Sequence, residues 1–238
     1  MLDISQYVAI DEHHMQFTEQ QASQFAKGVA GDFNPIHDVG ARRFCVPGDL
    51  LFSVLLNQFG VYQSLHLDMH AMVDSKTQVK LPNELQSQNQ ILDTADKLIL
   101  TLQVDGQNST DAGFVSDVIQ QYVQFSGKTF PDILVELMRS NNCMINPARP
   151  MVIYKSMAIE LDELNAPDLS LVLDNDNTVL TVDGKKGEAK LQFLIHSNGR
   201  IVGRGEKNMV LGGLREFDEH EMSDIVAQYA QWKNNYSA

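Results

Sequence analysis

The chain has 238 residues, a hydrophobic fraction of 43% and a formal net charge of −13 at pH 7. That hydrophobic fraction argues for a packed core and against disorder, and the acidity disfavours nucleic acids and anionic membranes as partners. The two cysteines, Cys45 and Cys143, are far apart in sequence and predict no disulfide framework. Neither a signal peptide nor a membrane-spanning run is recognised, so a cytoplasmic protein is expected.

The first half of the chain predicts two helices followed by strands. The first helix covers 18–30, with Thr18 as its N-cap and Gln21 at the capping-box position. A loop over 31–48 leads into a helix over 49–65, whose apolar positions spread around its circumference as in a buried helix. Three strands are then predicted, at 70–81, 97–105 and 113–125.

The second half predicts the same order of elements. A short buried helix covers 130–141, and a closing helix covers 218–234. Strands are predicted between them, at 151–161, 169–173, 188–196 and 200–211. The pattern therefore indicates an α+β fold with two units of similar plan, residues 1–126 and 127–238.

Residues 31–37 read Gly-Asp-Phe-Asn-Pro-Ile-His, and they gather polar chemistry in one short loop. Asp32 and His37 can accept and donate protons, and Asn34 can hold a neighbouring group by hydrogen bonds. Taken singly, Asp32 would be a turn residue and His37 a satisfied imidazole. Cys45 has no adjacent base and is expected to be an inert buried thiol.

The run 30–37 resembles the MaoC-like, (R)-specific enoyl-CoA hydratase family of hotdog-fold proteins. Phe44 and Gly48 stand where that family has a Phe and then the Gly that opens its central helix. The resemblance implies a double hotdog, in which each half is a buried helix wrapped by a curved antiparallel sheet. This chain departs from the family at Pro47, where a His is usual, and in the shorter segment between the motif His and the Gly.

The resemblance also implies roles for the motif residues. Asp32 and His37 would be the catalytic pair, Asn34 would orient them, and the N–H of Gly48 would polarise the thioester oxygen. The acyl tail would lie along helix 49–65, against residues such as Leu51, Phe52 and Leu55. Arg42 and Arg43 are the candidates for phosphate contacts, because they are near the motif in sequence.

The function expected from this resemblance is hydration of trans-2-enoyl thioesters, or the reverse dehydration, on acyl-CoA or acyl-carrier-protein substrates. The reaction needs no metal and no redox cofactor. Two alternatives stay open: a non-catalytic protein that binds acyl thioesters on the same scaffold, and a thioesterase. A homodimer is also expected to be plausible, since hotdog units pair their sheets edge to edge.

Overall fold

The computed structural model describes residues 1–147 and 149–236. Its strands are β1 (Ala9–Asp11), β2 (His14–Gln16), β3 (Val61–Met69), β4 (Val79–Lys80), β5 (Gln88–Leu92), β6 (Leu98–Ser109), β7 (Cys143–Met144), β8 (Val152–Leu161), β9 (Leu169–Leu173), β10 (Val179–Asp183), β11 (Lys186–Ser197), β12 (Arg200–Gly212) and β13 (Arg215–Glu216). Its α-helices are α1 (Glu19–Gln24), α2 (Gly48–Phe59), α3 (Ala112–Ser126), α4 (Leu134–Ser140) and α5 (Glu219–Asn235). Short 3-10 turns cover Ile4–Tyr7 and Pro35–His37, and π-helical turns cover Phe25–Ala30 and Thr129–Ile133.

A large antiparallel sheet dominates the molecule. Its strand order is β10-β11-β12-β8-β3-β6-β5, and β9 pairs with β11 as well. The two halves of the chain meet at the β3–β8 ladder, which runs from Ser64 opposite Glu160 to Asp68 opposite Ser156. The smaller sheets are β1-β2-β4 and β7-β13. The predicted combination of helices with antiparallel strands is therefore confirmed.

Helices α2 and α3 form the centre of the core. Residues 48–56 of α2 are all buried, as expected of a helix that is apolar around its circumference. The ring of Phe52 on α2 stacks on that of Tyr122 on α3, with centroids 4.4 Å apart. Leu55 is also buried in this core. Burial of this apolar surface is the main force that holds the two helices on the sheet.

Several predicted elements are wrong in type or length. Helix 49–65 ends at Phe59, because Gly60 adopts a φ of 85° and the chain continues as strand β3. The predicted strand 113–125 is helix α3, which begins with the Asp111 side chain accepting a hydrogen bond from the Phe114 N–H at 2.8 Å. Its apolar residues recur at helical spacing, but the β-branched and aromatic side chains among them favour a strand. The predicted strand 70–81 is a loop that contains only the short β4.

Other predictions are confirmed. The capping box between Thr18 and Gln21 is present at the start of α1. The strands predicted at 151–161, 169–173, 188–196 and 200–211 correspond to β8, β9, β11 and β12, and the closing helix corresponds to α5. Within the described residues, no helix combines the length and the apolarity that crossing a bilayer requires.

Candidate functional site

Asp32 lies at the point where the first helical segment ends. Gly31 adopts a φ of 70° and closes the π-helical turn, and the N–H of Asp32 donates to the Ala26 carbonyl at 2.8 Å. The hydroxyl of Tyr229, on helix α5, donates to the Gly31 carbonyl at 3.3 Å and accepts from the Phe33 N–H at 3.0 Å. The loop that carries the carboxylate is thus tied to the C-terminal helix.

His37 occupies the end of the 3-10 turn that Asn34 caps. The Asn34 side chain accepts from the Ile36 N–H at 3.2 Å, and the Asn34 N–H donates to Asp32 Oδ1 at 2.9 Å. Asn34 therefore contacts the segments that carry both groups. His37 Nδ1 lies 2.6 Å from the Cys45 carbonyl, which can only accept, so Nδ1 carries the proton.

The free nitrogen of His37 faces the carboxylate. His37 Nε2 is 3.7 Å from Asp32 Oδ2, and the two side chains are 10% and 21% exposed. Burial raises the pKa of the Asp32 carboxyl above its usual value, and the Asp49 carboxylate adds to this; the Asn34 N–H and Lys207 oppose it but are outweighed. A carboxylate with a raised pKa is a better proton acceptor than one in water.

Both groups line a cavity of about 310 Å³, together with Gly48 and Leu51. The polar pair and Gly48 sit among a mostly apolar lining, which includes side chains such as Met69, Val73, Leu134, Ile145, Val152 and Met209. Phe52 and Leu55, predicted to line the tunnel, are not among the lining residues. Such a cavity has the composition typical of sites for small apolar ligands that carry one polar end.

The N-terminus of α2 lies on the same cavity as this pair. Pro47 precedes the helix and offers no side-chain cap. Among the described residues, no hydrogen-bond acceptor contacts the N–H of Gly48 or that of Asp49. Gly48 lines the cavity and Asp49 does not, so the N–H of Gly48 is the donor available there. A Cβ on residue 48 would lie 2.6 Å from Met69 Cε and 3.2 Å from Tyr154 Cδ2, so a side chain there would displace the Met69 methyl group and press on the Tyr154 ring.

The remaining predicted residues are placed elsewhere. Phe44 is buried in the hydrophobic core at 8% exposure and does not line the cavity. Arg42 and Arg43 are exposed, and neither lines the cavity. Cys45 does line it, but burial raises the pKa of its thiol to about 11, which makes it a poor nucleophile.

Sequence reasoning missed a buried ion pair that adjoins the cavity. Lys207 on β12 is 0% exposed, and its Nζ lies 2.7 Å from Asp49 Oδ1. The alternation of β12 indicates the buried lysine, because Lys207 lies on the same face of the strand as the inward-facing Met209 and Leu211. An inward lysine between apolar neighbours needs a buried partner, and Asp49 supplies it.

A β-bulge directs a second missed residue into the cavity. In the β8–β12 ladder, Asn208 is opposite Ser156 but Met209 is opposite Tyr154, so Lys155 is the extra residue. The bulge turns Tyr154 towards the cavity and leaves Lys155 in solvent.

Fold and site together define an α+β protein with a mostly apolar ligand cavity that is polar at one end. The chain belongs to the family described as a protein of unknown function (DUF3581), whose model matches residues 2–220. No curated protein matches the sequence.

Solved structures resemble the chain at low identity. A conserved protein of unknown function with hot dog fold from Alicyclobacillus acidocaldarius has 9% identity and a TM-score of 0.48, covering 89% of this chain and 98% of its own. An acyl-CoA thioesterase II from Mycobacterium marinum has 11% identity and a TM-score of 0.43, covering 91% and 99%. An acyl-ACP thioesterase from Bacteroides thetaiotaomicron has 13% identity and a TM-score of 0.39, covering 87% and 100%.

These comparisons contradict the predicted enoyl-thioester hydratase. The matching family model is not that of the MaoC-like hydratases, and two of the three structures above are named thioesterases. The motif at 31–37 therefore does not carry the hydratase assignment that its resemblance implied.

Proposed function

We propose that this protein hydrolyses acyl thioesters in the cavity that Asp32 and His37 line. The observation that carries the proposal is the placement of this acceptor pair and the open N-terminus of α2 at Gly48 on one mostly apolar cavity. Hydrolysis requires a base for water, donors for the developing oxyanion and a place for the acyl chain. The cavity offers all three.

The acceptor pair would activate the water. In the neutral form of His37 with the proton on Nδ1, which donates to the Cys45 carbonyl, Nε2 and Asp32 Oδ2 are two acceptors 3.7 Å apart. One water molecule can donate to both, which leaves its lone pair free to attack. Asp32 takes the proton as the new C–O bond forms at the thioester carbon.

The helix N-terminus would stabilise the intermediate. The N–H of Gly48 donates to the oxyanion, and the helix dipole favours negative charge there. When the C–S bond breaks, the proton on Asp32 passes to the leaving sulfur. The products are a carboxylic acid and a free thiol, and the acyl chain lies against apolar side chains such as Leu51.

A thiol-release assay tests the proposal. Acyl-CoA and acyl-carrier-protein thioesters, the substrates named for the similar enzymes, are incubated with the protein, and free thiol is followed with a chromogenic reagent. Asp32→Asn and His37→Gln are each expected to lower the rate by about 100-fold or more. Asp38→Asn is the matched control, since Asp38 pairs with Lys27 outside the cavity and should leave the rate within about twofold.

The assay also separates the alternative. Absence of thiol release with every chain length would overturn the proposal. An acyl thioester that stays bound and intact would instead support the non-catalytic acyl-binding protein, which the apolar lining also accommodates.

We also propose a double hotdog organisation for the chain. Two long buried helices, α2 and α3, would each be wrapped by part of the sheet, and the β3–β8 ladder would join the two parts within one chain. The division at 1–126 and 127–238, which leaves both of these helices in the first half, stays a prediction, and limited proteolysis with sequencing of the fragments would check it. A homodimer also stays a prediction, which light scattering on the purified protein would check.

A further inference from the structure

The ammonium group of Lys207 has no proton left for a ligand. It donates to Asp49 Oδ1 at 2.7 Å, to the Tyr122 carbonyl at 2.8 Å and to Ser126 Oγ at 2.5 Å. An ammonium has three donors, so all of them are used inside the protein. Its influence on the cavity therefore passes through Ser126.

Ser126 and Tyr154 share one hydrogen bond and keep one spare proton. Their oxygens are 2.9 Å apart, and each hydroxyl carries a single proton. One of the two protons lies in the bond between them, whichever hydroxyl donates. For the other, no acceptor is found among residues 1–147 and 149–236. Burial raises the pKa of the Tyr154 phenol well above its usual value, so it stays protonated.

Both hydroxyl-bearing residues line the same cavity as Asp32 and Gly48. Ser126 ends helix α3, and the next residue, Gly127, packs so closely that a Cβ there would lie 2.1 Å from the Ala30 carbonyl oxygen. This contact brings the end of α3 beside the loop that carries Asp32. The Tyr154 ring packs against Gly48, so the distance from the Tyr154 hydroxyl to the start of α2 is about the length of the phenol ring.

We propose that Ser126 and Tyr154 form a second polar contact point in the cavity, which donates a hydrogen bond to an oxygen on the third carbon of the acyl chain. This inference deepens the proposed function and rests on it. The substrate class becomes acyl thioesters that carry a 3-oxo or 3-hydroxy group. The neighbouring ammonium polarises the spare O–H, and charge-assisted donors favour an acceptor oxygen over a methylene.

A binding experiment tests this inference independently of turnover. Asp32→Asn is used as the host, because it is expected to bind thioesters without hydrolysing them. Its affinities for 3-oxooctanoyl-CoA and octanoyl-CoA are measured by isothermal titration calorimetry. The 3-oxo thioester is expected to bind about tenfold more tightly, the effect of one hydrogen bond to a polarised donor.

The variants identify the donor. Either hydroxyl alone keeps a proton to donate. Each single variant, Tyr154→Phe or Ser126→Ala, should therefore retain part of the preference for the 3-oxo thioester. The double variant Ser126→Ala with Tyr154→Phe should bind the two thioesters equally, with the affinity for octanoyl-CoA within about twofold of the host. That unchanged affinity reports an intact cavity.

Equal affinity of the host for the two thioesters would overturn the inference, as would a preference that survives in the double variant. The first result needs no variant of Ser126, so a folding defect there cannot obscure the outcome. Thiol release by the natural protein without a preference would leave the proposed function standing and remove this inference. A preference for the 3-oxo thioester in binding, without any thiol release by the natural protein, would leave this inference standing and remove the proposed function.

Discussion

Replacing Lys207 by methionine should destabilise the fold more than any surface substitution. Lys207 is 0% exposed and the Asp49 side chain is 3% exposed, so their ion pair is fully desolvated. Methionine fills similar space but leaves a buried carboxylate without a counter-ion. It also removes the donor from the Tyr122 carbonyl and from Ser126 Oγ.

The size of the effect follows from the burial of the partner. Removing one member of a buried ion pair typically costs about 3–5 kcal/mol, because the other charge stays uncompensated. That is a large share of the roughly 5–15 kcal/mol by which domains are stable. Removing both charges, with Lys207→Met and Asp49→Leu together, should return stability to within about 2 kcal/mol of the natural protein.

Urea unfolding measures these differences. The free energy of unfolding is obtained by linear extrapolation for the natural protein, the two single variants and the double variant. Lys155→Met is the matched control, since Lys155 lies on the neighbouring strand and its pair with Glu188 is 53% and 64% exposed. It should change stability by less than about 1 kcal/mol.

Two results would refute the reasoning. A loss in Lys207→Met no larger than that in the Lys155 control would mean that the buried pair is solvated or unformed. Additive losses in the double variant would mean that Lys207 and Asp49 do not act on each other.

Three further predictions concern the site. Burial raises the pKa of Asp32, so the free energy of unfolding falls as pH rises through the raised value and the buried carboxyl ionises. Asp32→Asn should therefore be more stable than the natural protein at neutral pH, and the difference should shrink on acidification. Urea unfolding at several pH values measures this difference. Tyr229→Phe should cost about 1–2 kcal/mol and lower the rate of thiol release, since the buried Phe33 N–H loses its acceptor. Arg42→Ala with Arg43→Ala should raise KM for acyl-CoA by about threefold and leave that for acyl-pantetheine unchanged, if these exposed guanidiniums meet the nucleotide phosphates.

The sequence predicts best the parts of the fold whose signals are local. The capping box at Thr18 needs only residues three apart, and the strands of the second half alternate cleanly. The strand predicted over α3 is wrong because Val115, Val118 and Val123 favour strands on their own, whereas packing of α3 against α2 decides the outcome. The end of α2 at Gly60 depends on a backbone conformation that no apolar pattern reports.

In the candidate site too, residues close in sequence are predictable and residues far apart are not. Asp32, Asn34 and His37 lie within one short loop, so their proximity can be predicted from the sequence. The Lys207–Asp49 pair joins residues 158 positions apart, and only the fold brings them together. The alternation of β12 could have predicted an inward lysine there, but not the identity of its partner.

The buried pair also decides what the Asp49 carboxylate does at the start of α2. A carboxylate in the first turn usually caps the free N–H groups of its helix, and Asp49 would then compete with a ligand oxygen for them. Instead Asp49 Oδ1 accepts from Lys207, and the N–H groups of Gly48 and Asp49 have no acceptor among the described residues. Lys207 therefore keeps the helix N-terminus open towards the cavity while balancing the charge behind it. On this argument Lys207→Met should also weaken octanoyl-CoA binding, because the released carboxylate turns back onto the donors that the thioester needs.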